Sequence, residues 1–317
     1  MLRGLLLISG SKVRVLDGPP THDGHFGNSR SARLRSSMNG EVRERISWWP
    51  TTDLAIEPRG VTVVTVNYNT KRLVSMLLWS LYRFLGSELR SVVVVDNGSA
   101  DGSVAILRAC AGAGLCEPIL NGANRYHGPG MSQALSHCAS RAGDGDRPWL
   151  WLLDSDCVVA RPDAATEAVS AARSAGAALL GEAAWNTWHQ DVRLRGYSLL
   201  IDPARAWRPE IGPFLEGGDP VGDFEESCRR VQIPITTFPF TASGFIVHLG
   251  RGTLAGVYER REASNLYFNW ARDHREPHFQ QVSGAPARYS ALSAEFDEAV
   301  GDLRPEQLVR ACHQRPG

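Results

Sequence analysis

The sequence predicts an α/β domain with a mainly parallel central sheet flanked by helices, and three observations carry that prediction. Two short runs, VTVVTV (Val61–Val66) and VVVVD (Val92–Asp96), are apolar without alternation and rich in β-branched residues. Strands buried on both faces look like this. Stretches with apolar residues at helical spacing lie between such runs. Strand and helix then alternate at the interval expected of βαβ units.

Taken in order, VTVVTV is the first strand, and NYNT follows it as a polar tip. KRLVSMLLWSLYRFLG is the first helix, with Leu73, Met76, Leu77, Leu81 and Phe84 on one face and Gly86 as its stop. VVVVD is the second strand. The turn NGSADGS leads into a helix carrying Ile106, Leu107 and Cys110 and ending near Gly112. Pro118–Leu120 is a short third strand, followed by a Gly-rich loop and a helix near Met131–Arg141. WLWLL (Trp149–Leu153) is the fourth strand. Beyond it the pattern loosens. ATEAVSAARSAGAALLGEAAW reads as helix then strand, and LRGYSLLID as a strand of antiparallel character. Val221–Val231 is a short helix, GFIVHLG is strand-like, and Ser293–Cys312 is helical. Residues 1–58, rich in Gly, Ser and Arg, are expected as a loosely attached extension whose end Trp48 and Trp49 could pin to the body. The main domain is then 59–290, with a helical tail over 291–317.

Totals narrow the function classes. The 317 residues carry 34 Lys+Arg against 34 Asp+Glu, so no net field steers nucleic acid to the chain. No stretch approaches the roughly 18 apolar residues of a membrane span, which leaves peripheral contact as the form a membrane association would take. The opening MLRGLLLISG has an apolar centre of only about five residues, short for a secretory leader. Cys110, Cys116, Cys138, Cys157, Cys228 and Cys312 show no CxxC pairing and are expected as reduced thiols of a cytoplasmic protein.

Ligands of open α/β sheets bind beyond the carboxyl ends of the strands. Three strands here end in polar residues: Asn67, Tyr68 and Asn69; Asp96 and Asn97; Asp154 and Asp156. In extended backbone Asp154 and Asp156 point to one side. Such a pair suits Mg²⁺ or Mn²⁺, whose shell substrate phosphates complete. A bare DxD occurs roughly once by chance in a chain this long, and Asp144-Gly145-Asp146 sits in a loop. The apolar strand before Asp154 and the shared edge with Asp96 set the first motif apart.

These residues resemble family 2 glycosyltransferases, which bind nucleotide sugars on the GT-A fold. TVNYNTKRLVSMLLWSL is similar to that family's first strand, loop and helix, and VVVVDNGSADGS to its second-strand signature. WLLDSD resembles its metal-binding DxD, and GDFEESCRR with FPFTASGFIVHLGRGT its acidic catalytic segment and the stretch after it. The resemblance spans about Val61 to Thr253. It implies that Val66, Tyr68, Asp96, Asn124, Arg125, Asp154 and Ser155 contact the nucleotide sugar. Asp156, Asp154 and His248 would hold a divalent metal, Mn²⁺ or Mg²⁺. Asp223 would be the general base, with Glu225 as the competing assignment, because Gly222 stands where family members often carry Glu. The reaction implied is inverting transfer from a UDP- or dTDP-sugar to a hydroxyl of a glycan, lipid-linked or small-molecule acceptor.

Each role has a plainer counterpart. Asp96 can cap the turn after its strand, and Asp223 and Glu225 can simply favour a helix N-terminus. His248 can be a structural residue. Trp185 and Trp188 would line an acceptor cleft or pack in a core. His274 with His278, and His22 with His25, are too few ligands for zinc and read as surface residues. A sugar-phosphate nucleotidyltransferase would use a Gly-rich phosphate loop after the first strand, which NYNTKRL lacks. A non-catalytic carbohydrate-binding protein is supported only by the incomplete acidic pair at Gly222-Asp223.

Overall fold

A computed structural model describes residues 46–50, 60–143, 147–186, 189–216, 219–250 and 284–314. The first half follows the expected alternation: β1 (Val61–Asn67), α1 (Lys71–Phe84), β2 (Leu89–Asp96), α2 (Ser103–Gly112), β3 (Glu117–Leu120), α3 (His127–Arg141) and β4 (Trp149–Leu153). The second half is β5 (Cys157–Val159), α4 (Ala164–Ser174), β6 (Leu179–Asn186), β7 (Asp191–Ile201), α5 (Pro203–Ala206), α6 (Pro220–Arg230), β8 (Ile235–Thr237), β9 (Ile246–His248), α7 (Ala285–Val300) and α8 (Pro305–His313).

Seven strands form one sheet in the order β3-β2-β1-β4-β7-β6-β8. Pairings β1–β2, β1–β4, β2–β3 and β6–β8 are parallel, while β7 runs antiparallel to both β4 and β6. Successive residues of the central strands feed opposite faces. Val61 and Val63 of β1, Val92 and Val94 of β2, and Trp149, Trp151 and Leu153 of β4 pack with α1 and α2. Val64, Val66, Val93, Val95, Leu150 and Leu152 pack with Met131, Ala134 and Leu135 of α3 on the other face. This two-sided burial is why the runs lack alternation. Each buried Val or Leu side chain contributes about 1.5–3 kcal/mol, so β1, β2 and β4 are rigid supports for whatever their ends carry.

The C-terminal helices complete the first face. Phe296 of α7 meets Trp79 edge-on at 5.7 Å, and Arg72 pairs with Asp297 at 2.6 Å. The helical segment expected from Ser293 begins at Ala285 and breaks between Val300 and Pro305 into two helices. Of the expected extension, only 46–50 is described. There Trp49 is buried and its N–H donates to the Trp207 carbonyl at 3.3 Å, while Trp48 packs on the Trp207 ring at 4.9 Å. These two tryptophans do anchor their segment to the body.

The sequence reading missed one pairing that matters for the site. A second, two-stranded sheet joins β5 to β9, antiparallel, with Cys157 opposite His248. Strands this short carry too weak a pattern to be told from loop. All six cysteines are free thiols, five of them buried. Among the described residues, no helix is long and apolar enough to cross a membrane.

Candidate active site

The tips of β1 and β2 lie in register, Asn67 beside Asp96, and Leu152 of β4 lies beside Val64. All three strands therefore end on one rim, as the polar tips suggest. A buried hydrogen-bond chain ties the tips together. Asp96 accepts from Asn67 Nδ2 at 2.7 Å. Asn67 Oδ1 accepts from the Thr70 hydroxyl at 2.6 Å, and that hydroxyl lies 3.0 Å from Ser155 Oγ, in the middle of the Asp154-Ser155-Asp156 turn. Asn69 supports the corner in the left-handed region (φ 54°), a conformation Asn tolerates. Its side-chain oxygen accepts from the Ala100 N–H at 2.8 Å.

Three of the expected donor contacts, Asp96, Ser155 and Val66, are buried. Asp96 is fully buried, with Oδ1 accepting from the N–H groups of Gly98 at 3.1 Å and Ser99 at 2.9 Å. It organises the β2 turn from within. Ser155 is likewise buried, its hydroxyl beside that of Thr70. Val66 is buried in the core on the α3 side. Asp96 and Ser155 share a physical reason: a buried polar group must be paired inside, and small polar side chains at strand ends pair with one another first. Tyr68 is half-buried, Asn124 caps the Tyr126 N–H at 2.8 Å, and Arg125 is exposed.

Asp154 and Asp156 flank Ser155 and converge on His248. The convergence comes from a turn, closed by Cys157 N–H on the Asp154 carbonyl at 3.0 Å, and not from extended backbone. The β5–β9 pairing brings His248 Nε2 to 3.4 Å from Asp156 Oδ1 and 3.8 Å from Asp154 Oδ2. Tyr197 stacks on the imidazole, ring centroids 4.2 Å apart and 19° from parallel. His127, at the start of α3, approaches Asp154 Oδ1 to 3.3 Å from the other side. Burial raises the Asp154 carboxyl above its ordinary range against the pull of His127, with Asp156 adding to the rise. At His248 burial opposes the charge, but the neighbouring Asp156 and Asp154 carboxylates prevail and raise it.

These groups fit a hard divalent cation. Two carboxylates and an imidazole face one point, and Asp154 Oδ1 is buried without a hydrogen bond among the described residues. Cys157 Sγ lies with the Asp156 and His248 ligand atoms inside 4.8 Å. Its thiol, however, is held far above its ordinary range by burial and both aspartates, and it donates to the Tyr197 carbonyl at 3.4 Å. A protonated thiol is not a ligand for Mn²⁺ or Mg²⁺.

In the acidic helix α6, Asp223 and Glu225 have different surroundings. Glu225 is fully buried, accepting from the Leu194 N–H of β7 at 2.7 Å and from Arg229 Nε at 3.0 Å. It fastens α6 to the sheet. Asp223, in the first turn, is a third exposed on its side chain and faces His189. The start of α6 is carried close to α3 by Leu215, whose carbonyl oxygen lies 2.0 Å from where a Cβ on Gly128 would sit. Only glycine allows that approach.

Several participants were not singled out from sequence: His127, His189, Asn186, Thr70 and Tyr197. His189 lies in AAWNTWHQ, where the tryptophans draw the eye. Of those, Trp185 is 62% exposed and packs in no core. Trp188, His274, His278, His22, His25, Asp144 and Asp146 lie outside the described residues.

The sheet is mainly parallel with β7 reversed, and a carboxylate–histidine cluster stands on its rim. Residues 62–193 match the family model described as Glycosyl transferase family 2. No curated protein matches the chain. Solved structures similar to it include S. aureus TarS 1–349 in complex with UDP-GlcNAc, at 17% identity and TM-score 0.44, covering 56% of this chain and 56% of that one. The chain thus spans little more than half of that relative. A second is the mannosyltransferase PcManGT from Pyrobaculum calidifontis with GDP-Man and Mn²⁺, at 18% identity and TM-score 0.48, covering 89% and 81%. A third is glucosyl-3-phosphoglycerate synthase from Mycobacterium tuberculosis with Mn²⁺, UDP and glucosyl-3-phosphoglycerate, at 15% identity and TM-score 0.42, covering 68% and 75%.

Proposed function

We propose that the chain is an inverting, metal-dependent glycosyltransferase that moves a sugar from a nucleoside diphosphate donor, UDP- or dTDP-linked, to an acceptor hydroxyl. The observation that carries this reading is the convergence of Asp154, Asp156 and His248 on the rim shared by β1, β2 and β4. Asp156 and His248, with Asp154, hold the divalent metal, Mn²⁺ or Mg²⁺. When bound, it supplies Lewis-acid stabilisation of the diphosphate leaving group. Tyr68, Asn124 and Arg125 border the same rim and remain the donor contacts of choice, whereas Asp96 and Ser155 position them from beneath. Asp223 takes the acceptor's proton as its oxygen attacks the anomeric carbon from the face opposite the diphosphate. The acceptor is a glycan, a lipid-linked intermediate or a small molecule.

A panel of nucleotide sugars, each tested by thermal unfolding with and without Mn²⁺, identifies the donor and tests the metal together. A donor at about 100 times its Kd stabilises by about 2.7 kcal/mol, and the reading expects that gain to need Mn²⁺. Asp156→Ala should lose both the Mn²⁺-dependent gain and transfer while melting cooperatively. Full transfer by Asp156→Ala, or in excess chelator, would remove the metal from the mechanism.

A further inference from the structure

Arg195 lies where β7 leaves its regular pairing. Gly181 of β6 stands opposite Leu199 and Ala183 opposite Leu194, so β7 carries extra residues between them and bulges. Bulges bend a strand and re-aim its side chains, and they recur beside active sites. This one spans the gap between the aspartate–histidine cluster and the acidic helix. At one end the Tyr197 carbonyl accepts from the Asp154 N–H at 2.9 Å, and the Tyr197 ring stacks on His248. At the other end the Leu194 N–H donates to Glu225 of α6, and a Cβ on Gly196 would sit 3.2 Å from Val221 Cγ2 in the first turn of that helix. The turn between β6 and β7 closes on the same helix start. A Cβ on Gly222 would sit 2.6 Å from His189 Nε2, so glycine there leaves the ring its place.

Arg195 is half-buried, and among the described residues it makes no ion pair and no hydrogen bond. Other arginines of this half of the sheet do. Arg193 pairs with Asp191 at 2.8 Å and with Glu226 at 2.6 Å, Arg229 pairs with Glu225, and Arg147 with Asp202. The Arg195 charge stands near enough to His248 to work against protonation of that imidazole. It nevertheless pairs with neither aspartate of the cluster, whose oxygens face His127 and His248. A partly desolvated guanidinium is unfavourable until an anion meets it. Its planar fork fits a phosphate or a carboxylate through two parallel hydrogen bonds.

The flank on which Arg195 stands selects the ligand. In the strand order β1-β4-β7, the tips of β1 and β2 lie on one side of β4 and the bulge on the other, toward the helix that carries Asp223. We propose that Arg195 binds an anionic group of the acceptor, so that the acceptor is an alcohol bearing a phosphate or a carboxylate. The inference rests on the transfer reading above and names the chemistry of its acceptor. In the step itself, the acceptor's hydroxyl oxygen bonds the anomeric carbon as its proton passes to Asp223. The bond from that carbon to the diphosphate breaks, and its electron pair stays on the departing phosphate. Arg195 exchanges no proton; it holds the acceptor's anion beside the reacting carbon.

The test is calorimetric titration of the full chain in Mn²⁺ with UDP or dTDP, whichever binds tighter, so that the diphosphate site is filled. Glycerol 3-phosphate is compared with glycerol, and glucuronate with glucose, which separates a phosphate from a carboxylate. At least one anion should bind about 10- to 100-fold tighter than its neutral partner, the worth of a charge-assisted hydrogen bond. Arg195→Gln should erase that preference, melt cooperatively and leave the affinity for the nucleotide with Mn²⁺ unchanged. Arg195→Lys, which keeps the charge without the fork, should recover part of it. Arg230→Gln, which removes an exposed charge at the far end of α6, should leave it intact. A wild-type chain that prefers neither anion overturns the proposal, as does a preference that survives Arg195→Gln or falls equally in Arg230→Gln. A loss of nucleotide affinity in Arg195→Gln would assign the residue to the donor's diphosphate and overturn it as well. A wild-type chain that binds no nucleoside diphosphate in Mn²⁺ refutes the transfer reading itself, whereas nucleotide binding without a preference for anions refutes only the acceptor class.

Discussion

β1, β2 and β4 run parallel and deliver their tips to the rim side by side, each from its own βα unit. The second half of the sheet does otherwise. β7 runs back between β4 and β6, and the residues it helps place come from a turn, a helix start and a three-residue strand. The first half supplies a stiff polar scaffold, Asp96–Asn67–Thr70–Ser155, buried and internally paired. The second supplies the histidines set against carboxylates: His248 against Asp154 and Asp156, and His189 against Asp223. The comparison teaches that strand tips hold the rim in shape, while the chemistry is assembled by long-range contacts laid across it.

That division can be broken by experiment. Asp223→Asn should lower kcat by about 10²–10⁴-fold, the usual worth of a general base, while leaving donor-induced thermal stabilisation intact. If both were lost, acceptor activation and donor binding would not be separate, and the two-part description would fail. Glu225→Ala, two residues further along the same helix, should do the opposite. It strands the buried Leu194 N–H and should cost about 1–3 kcal/mol of stability, read from the denaturation midpoint, with kcat per folded molecule kept. A collapse of kcat with the donor-induced gain preserved would give Glu225 a chemical role after all.

The smallest effect is expected at Tyr197, which sits where the halves meet. Its ring stacks on His248 and its hydroxyl donates to Glu182, which also accepts from Thr241 N–H at 2.7 Å. Tyr197→Phe keeps the ring and loses the hydroxyl, so it should cost about 1 kcal/mol of stability and leave Mn²⁺-dependent stabilisation as it was. Loss of the metal response in that variant would show that the hydroxyl anchor, and not the stacking, holds His248 in place.

The two halves also differ in how far they can be read in advance. β1, β2, β4, α1 and α2 announce themselves because two-sided burial demands unbroken apolar runs and amphipathic helices demand helical spacing. Asp154, Asp156, His248 and Asp223 are visible as polar residues ending or starting such elements. β5 and β8, three residues each, have too few positions for a periodic signal, while β9, inside the strand-like GFIVHLG, gave no sign of its partner. The burial of Asp96, Ser155 and Glu225 was not legible for a different reason: residue type and spacing do not reveal whether a carboxylate or hydroxyl points to water or to a buried partner. His189 was passed over because its partners lie 30 and more residues further along the chain.

What the amino-acid order determined unaided is the α/β layering, the first four strands and the acidic character of their rim, since each follows from local periodicity and the cost of burying polar atoms. Which carboxylates stay open to solvent, and which histidines stand beside them, was decided only by tertiary packing. Those outcomes hang on pairings such as Cys157 with His248 and on the space left at Gly222. Neither is a property of any short stretch of chain, because each needs two segments that meet only after folding.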